Sequence, residues 1–408
     1  MSASIWYISK YFGLPTDQVG VRPFMLMREF ARSGIQTMIF AANLNHLFGV
    51  PPFEGRSALQ QVEGIDICWI KIRPYKGANS LGRIFSWLEF EWQFWRLPKQ
   101  GFTPPDAIII SSLSLLTVLN GLLLRRRYKC RLIFEIRDIW PLTLVEEGGF
   151  SRWNPLVIAL QFIERLGYKR SDAIVGTMPN LEEHVHALLR TSPPVHCIPM
   201  GVDDSQLAAP TPLPDDYVRE HIPADKFIIC HAGTIGGTNA LGTLIETARL
   251  MADNPEVHFL IAGGGDLKTT HQLASGDLPN VTFAPLVPKA MVQSLLQKCD
   301  LLYFSTHPSK VWVYGQSLNK VIDYMLAGRP IVASYSGFPS MINEAGCGTF
   351  VQAADTMSLK TEIERYCAMS EAERTKMGLA AREWLKINRH YRDLAKKYLS
   401  ILLPGRSM

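Results

Sequence analysis

Through the first half of the chain, short apolar runs alternate with longer stretches whose apolar positions recur every three or four residues. SIWYIS, IQTMIFAA, IDICWIKI, DAIIIS, RLIFEI, DAIVGT and VHCIPM read as strands buried on both faces, and 22–32, 152–169 and 179–190 carry a helical period. Alternation of this kind predicts a parallel sheet covered by helices. The pattern lapses at 203–216, DDSQLAAPTPLPDD, where proline and aspartate crowd a stretch without apolar period, and a linker is expected there. It then resumes with KFIICHAG, VHFLIAGG, NVTFAP, DLLYFS, RPIVAS and GTFVQ, interleaved with helical segments such as 243–251 and 289–298. The last part, 359–367, 371–386 and 393–403, is rich in good helix formers and is expected to pack back over both domains.

A chain of 408 residues that is 47% apolar and 19% charged holds too much core material for one ordinary domain. The expected division is an N-terminal Rossmann-like acceptor domain over 1–205, a C-terminal Rossmann-like donor domain over 206–385, and a helix over 386–408 crossing back to the first. The 42 basic and 37 acidic residues leave a formal charge of +5, which excludes the dense basic field of a nucleic-acid binder but permits a phosphate or lipid headgroup as partner. Seven scattered cysteines form no CxxC pair and read as buried thiols of a reducing cytoplasm. The start, MSASIWYISKYFG, lacks the plan of a signal peptide and is expected to be a first strand.

Two segments raise the question of a membrane. AIIISSLSLLTVLNGLLL, at 107–124, approaches the length of a span, but Ser111, Ser112, Ser114, Asn120 and Gly121 interrupt it, and a strand followed by a core helix is expected. IFSWLEFEWQFWR, at 84–96, holds more aromatic surface than one core-facing stripe needs. It either rests on a membrane surface beside Arg83, Arg96 and Lys99, or is buried against the helix that follows Ile108.

Candidate chemistry gathers at strand ends. The glycine clusters holding Gly233 and Thr234, and Gly263, Gly264 and Asp266, follow strands where backbone N–H groups can approach phosphate; the alternative for each is a plain turn. In QSLNKVIDYMLAGRP, Asn319, Lys320 and Asp323 fall near one helix start, giving a cation for a diphosphate and a carboxylate for ribose hydroxyls, or else a surface ion pair between Lys320 and Asp323. EIRDIWP sets Glu135, Arg137 and Asp138 beyond a buried strand, either as a site or as a pair that fixes the turn. The loop at 12–20, with Gly20, Arg22 and Pro23, either meets an acceptor or phosphate or merely connects. No DxD motif, HExxH helix or His/Cys metal spacing occurs, so no metal or other cofactor is expected. Neither glycine cluster is a GxGxxG followed by an acid at dinucleotide spacing, which disfavours a dehydrogenase.

In order along nearly the whole chain, FEIRDIWP, ERLGYKRSDAIVGTMPNL, IPMGVD, HAGTIG, AGGGD and LNKVIDYMLAGRPIVAS resemble the motifs of family 4 glycosyltransferases. RDIWP, LVEEGG and NKxxDYxxAGRP are most similar to the bacterial L-fucosamine transferases of O-antigen and capsule assembly. The resemblance implies an α/β GT-B fold, two Rossmann-like domains facing across a cleft, and a retaining, metal-independent, hexosyltransferase-type enzyme. It further implies a UDP-sugar donor, N-acetyl-L-fucosamine or a related 6-deoxy amino sugar, and a polyprenyl-linked or glycan acceptor. The enzyme is then expected in the cytoplasm, peripheral on the inner face of the plasma membrane.

By the same resemblance, Gly233 and Thr234 lie by the donor phosphates, and Gly263, Gly264 and Asp266 border base and ribose. Asn319, Lys320 and Asp323 contact diphosphate and ribose, Gly20 and Arg22 lie near phosphate or acceptor, and Arg137 and Asp138 sit by the transferred sugar. Lys320, Asp323, Arg137 and Asp138 are the expected catalytic group, with Lys320 stabilising the leaving diphosphate. The chain departs from the family pattern at Gly315 in place of a glutamate, at Thr234 and Asn239 in place of arginine and lysine, at Arg137 in place of histidine and at Met200 in place of asparagine. A sugar-nucleotide epimerase of the same fold, or a weakened protein that binds a nucleotide sugar without turnover, are the alternatives.

Overall fold

The computed structural model describes residues 2–406 except 18–19, 45–48, 51, 76–80 and 113. The chain divides into two compact units, Met1–Pro199 with Tyr391–Met408, and Met200–His390.

The first unit is built on one sheet. Its strands are β1 (Ser4–Ile8), β2 (Gln36–Ala42), β3 (Ser57–Val62), β4 (Ile65–Ile70), β5 (Ala107–Ser111), β6 (Arg131–Ile136), β7 (Ala173–Gly176) and β8 (Val195–Cys197). They lie in the order β3-β4-β2-β1-β5-β6-β7-β8, with β1 central and Ile5 in register with both Thr37 and Ala107. β1 and β5 are buried at every position, which is why they read as unbroken apolar runs. Every pairing is parallel except β3 with β4. β3 escapes the sequence reading because SALQQV is half-exposed and polar, with no apolar run to mark it. Its hairpin turns on Glu63 and Gly64, both at positive φ, the geometry of a tight two-residue turn.

The second unit carries β9 (Phe227–Ala232), β10 (Val257–Ala262), β11 (Val281–Ala284), β12 (Leu301–Ser305), β13 (Ile331–Ser334) and β14 (Gly348–Val351), all parallel, in the order β11-β10-β9-β12-β13-β14. Strand order reverses between β9 and β12, and in the first unit between β1 and β5. Ligands of open parallel sheets bind beyond the strand ends at such reversals.

The proline-rich stretch at 203–216 is not a free linker. Asp203 caps the helix Asp204–Leu207 in a capping box with Gln206, and Asp215–His221 is helical. Backbone hydrogen bonds from Val202 to Arg389 and from Thr211 to Ala290 tie the stretch into the second unit. Division therefore falls at 199/200 and not at 205/206. At the other end it falls at 390/391, because the helix Glu371–Asn388 is continuous through 385/386.

The closing helices do not each pack over both units. Glu371–Asn388 packs on Asn319–Ala327, and Thr356–Ala368 packs on Gly242–Leu250, all within the second unit. Only Tyr391–Leu402 belongs to the first, where it lies along Arg22–Arg32 with Phe30 and Tyr398 edge to face. Residues 107–124 split into β5 and the helix Thr117–Tyr128, as the interrupted pattern predicts. Among the described residues no helix is long and apolar enough to cross a membrane.

Candidate active site

Beyond β9 and β10 the two glycine loops of the second unit lean on each other. Gly233 donates to the carbonyl of Ala262 and Ile235 to that of Gly264, both at 2.9 Å. Gly263 and Gly265 sit at φ +152° and +155°; a Cβ on Gly263 would lie 1.9 Å from the Gly233 oxygen, and one on Gly265 would lie 2.2 Å from that of Ile235. Only glycine satisfies both the dihedral and the approach. The loops also meet where the exposed Asp266 carboxylate comes within 3.1 Å of where a Gly236 Cβ would stand. Gly264 is half-buried and Thr234 exposed along the same edge.

Lys320 closes this group. It occupies the first turn of Asn319–Ala327, whose N-cap residue Leu318 gives no side-chain cap, so the helix start remains suited to an anion. The amine donates to the Asn239 side-chain oxygen and lies 3.8 Å from where a Gly233 Cβ would be. No carboxylate is ion-paired with it among the described residues. Burial pushes it down to about 8 from its ordinary 10.5. Asn239 orients a cation supplied from a helix 81 residues later.

Asp323 turns a different way. Its carboxylate pairs with Lys289, and Gln293 donates to its backbone oxygen at 2.9 Å. Burial raises its pKa while Lys289 opposes the rise. The pair Lys320–Asp323 weighed from the i,i+3 spacing is not formed; the side chains diverge to Asn239 and Lys289. Next to it, the buried Tyr324 hydroxyl accepts from the Ala232 N–H at 2.9 Å and lies 3.1 Å from the carbonyls of Ala232 and Tyr303. Tyr324 thereby fixes the end of β9 to the helix that carries Lys320. His231, fully buried at that end, is kept neutral first by burial and then by the nearby Lys320. Gly315, at φ +96°, follows the short helix Lys310–Tyr314 in a conformation that favours glycine. Lys289 lies in no motif that could have marked it in the sequence, and Tyr324 falls inside NKxxDYxxAGRP without being singled out there.

In the first unit the expected charges separate. Arg22 is fully buried, with Nη1 2.5 Å from Glu135 Oε1 and Nη2 2.6 Å from the Ile198 carbonyl. The hydroxyls of Tyr7 and Tyr398 also donate to Glu135, and burial followed by the Glu135 charge pushes both tyrosines above their ordinary range. The expectation of Arg22 at a phosphate or acceptor is thus corrected: its guanidinium is consumed inside the core. The alternative of a Glu135–Arg137 pair does not hold, because Glu135 points inward to Arg22. Arg137 is half-buried and Asp138 exposed beyond β6, with Ser112 Oγ accepting from the Arg137 N–H at 3.0 Å and donating to the Asp138 carbonyl at 3.1 Å. Gly20, at φ +67°, closes the loop back on Gly13 before Pro23 opens the helix. Residues 18–19 of that loop lie outside the described residues.

Comparison with known proteins agrees with both halves. The Glycosyl transferase 4-like domain family matches residues 19–201, and the Glycosyl transferases group 1 family matches residues 226–368. No curated protein matches by sequence. Among solved structures, a sucrose-phosphate synthase from Thermosynechococcus elongatus is similar at 16% identity and TM-score 0.73, covering 98% of each chain. The E. coli trehalose-6-phosphate protein bound with UDP-2-fluoro glucose is similar at 12% identity and TM-score 0.73, covering 98% of this chain and 99% of its own. Anabaena HepE in complex with UDP is similar at 13% identity and TM-score 0.65, with the same coverage. Two parallel-sheet units and a family match on each identify the chain as a glycosyltransferase of GT-B fold.

Proposed function

We propose that the chain transfers a sugar from a uridine diphosphate carrier to a lipid-linked glycan acceptor in bacterial surface polysaccharide assembly, with retention and without a metal ion. The observation that carries this reading is the Lys320 amine, free of a carboxylate among the described residues and held by Asn239 against the Gly233 backbone. UDP draws on the complexes of the E. coli and Anabaena proteins. N-acetyl-L-fucosamine or a related 6-deoxy amino sugar draws on RDIWP and LVEEGG, and placement on the inner face of the plasma membrane draws on the aromatic stretch 84–96.

In this reading Gly233 and Thr234 carry the phosphates, Gly263, Gly264 and Asp266 border base and ribose, and Asn319 and Asp323 complete the donor site. Arg137 and Asp138 serve the transferred sugar, and Gly20 shapes the acceptor loop. As the bond from the anomeric carbon to the diphosphate oxygen breaks, its electron pair leaves with UDP, and Lys320 with the helix N-terminus stabilises that charge. The acceptor hydroxyl oxygen bonds to the same face of the carbon, and its proton passes to the departing phosphate.

The test is a panel of nucleotide sugars with purified protein and bacterial lipid-linked acceptor, with and without EDTA. Transfer from a UDP-6-deoxyaminosugar that survives EDTA and collapses in Lys320→Ala is expected. UDP-sugar binding without product across the panel would overturn the proposal.

A further inference from the structure

Three helices of the first unit, Leu81–Arg96, Thr117–Tyr128 and Pro155–Arg170, lie side by side, the middle one packed against both others. Each follows the same plan on its exposed side. On the first, Phe85, Leu88, Trp92 and Trp95 are all more than half exposed and recur at helical spacing, and Arg96 closes the stripe with its guanidinium over the Trp92 ring. On the second, the exposed Leu119 and Leu123 lead into the exposed Arg126 and Arg127. On the third, Ile158 and Phe162, the latter 68% exposed, lead into Arg165 and Lys169.

The opposite side of Leu81–Arg96 is already satisfied. Trp87, Phe90 and Phe94 are buried, and the buried Glu91 binds Asn120 at 2.7 Å and the Thr117 hydroxyl, which locks the first two helices together. Exposed apolar surface and core burial therefore occur on two faces of one helix.

Charge decides what covers the exposed face. The only acids on the three helices are Glu89, Glu91 and Glu164; Glu91 and Glu164 are buried, and Glu89 is half-buried and paired with Arg73. Apolar rows that all end in bases, with no exposed acid among them, match a surface with an apolar interior and an anionic border. We infer that these three helices form one docking platform for an anionic lipid bilayer, the apolar rows entering the headgroup boundary and the basic ends meeting lipid phosphates. The inference gives physical means to the lipid-linked acceptor reading on which its purpose rests, yet binding is measured without turnover.

The test uses the full chain with vesicles of phosphatidylcholine alone or mixed with phosphatidylglycerol, read by co-sedimentation and tryptophan fluorescence. Binding to the anionic vesicles is expected, weakened by salt. Trp92→Ser and Trp95→Ser each lower it about tenfold, and Arg126→Gln and Arg127→Gln about fivefold each. All four variants retain sugar transfer to a soluble acceptor, whereas Lys320→Ala retains vesicle binding, so failure of the platform and failure of the enzymatic reading are separate results. A wild-type chain that stays in the supernatant with anionic vesicles, or a dimer dissociated by Trp92→Ser, overturns the inference.

Discussion

Arg22 and Lys320 occupy comparable places, each in the first turn of a helix at the carboxyl edge of a parallel sheet, and the protein treats them in opposite ways. Arg22 is enclosed with Glu135, two tyrosine hydroxyls and carbonyl oxygens. Lys320 is half-buried and given only a neutral amide and glycine backbone. A buried cation with its counter-charge built in is scaffold; one whose counter-charge is missing is prepared for a charged ligand.

This contrast can be broken at several points, in descending order of effect. Glu135→Ala strands the Arg22 charge in the core and is expected to cost about 3–5 kcal/mol, read as a fall in the urea midpoint. Lys320→Ala is expected to lower transfer by about 100- to 1000-fold, as loss of a charge-stabilising donor does elsewhere, while thermal stability holds or improves. Equal losses of stability in the two variants would erase the distinction between them. Gly265→Ala forces a side chain against the Ile235 carbonyl at unfavourable φ and is expected to cost about 1–3 kcal/mol, with UDP affinity falling alongside in calorimetry.

A pH dependence sharpens the comparison without altering the fold. The Lys320 amine has its pKa lowered to about 8, so between pH 8 and its ordinary 10.5 the unfolded chain holds the proton more tightly than the folded one. Its contribution to stability therefore rises with pH across that window. UDP binding should move the other way and weaken over the same range as the amine loses its charge. In Lys320→Met both slopes should flatten; a slope that persists would assign the titration to another group.

The sequence carried most of the architecture because parallel strands buried on both faces announce themselves as apolar runs, as at Ser4–Ile8 and Ala107–Ser111. Ser57–Val62 was hidden because an exposed edge hairpin needs no such run. Composition alone made 203–216 look like a linker, since the bonds that hold it reach residues around 290 and 389. Site residues were legible as types and less so as orientations. Arg22 after a glycine loop looks the same whether it faces out or in, and the partner that decides, Glu135, is 113 positions away. Asp323 likewise takes its direction from Lys289, 34 residues earlier. The aromatic helix could be read as buried or interfacial because the choice depended on the neighbours of each face.

The helix Tyr391–Leu402 gives the first unit a peculiar order of manufacture. Its Tyr398 completes the Glu135 network, and its apolar side chains fill the same core as Phe24, Met27 and Phe30. The ribosome delivers that piece only after the whole second unit has been made. Until then a half-built core waits with its seam open, so the amino-terminal half, first to emerge, is the last to be finished, and the interval is when a chaperone has most to protect.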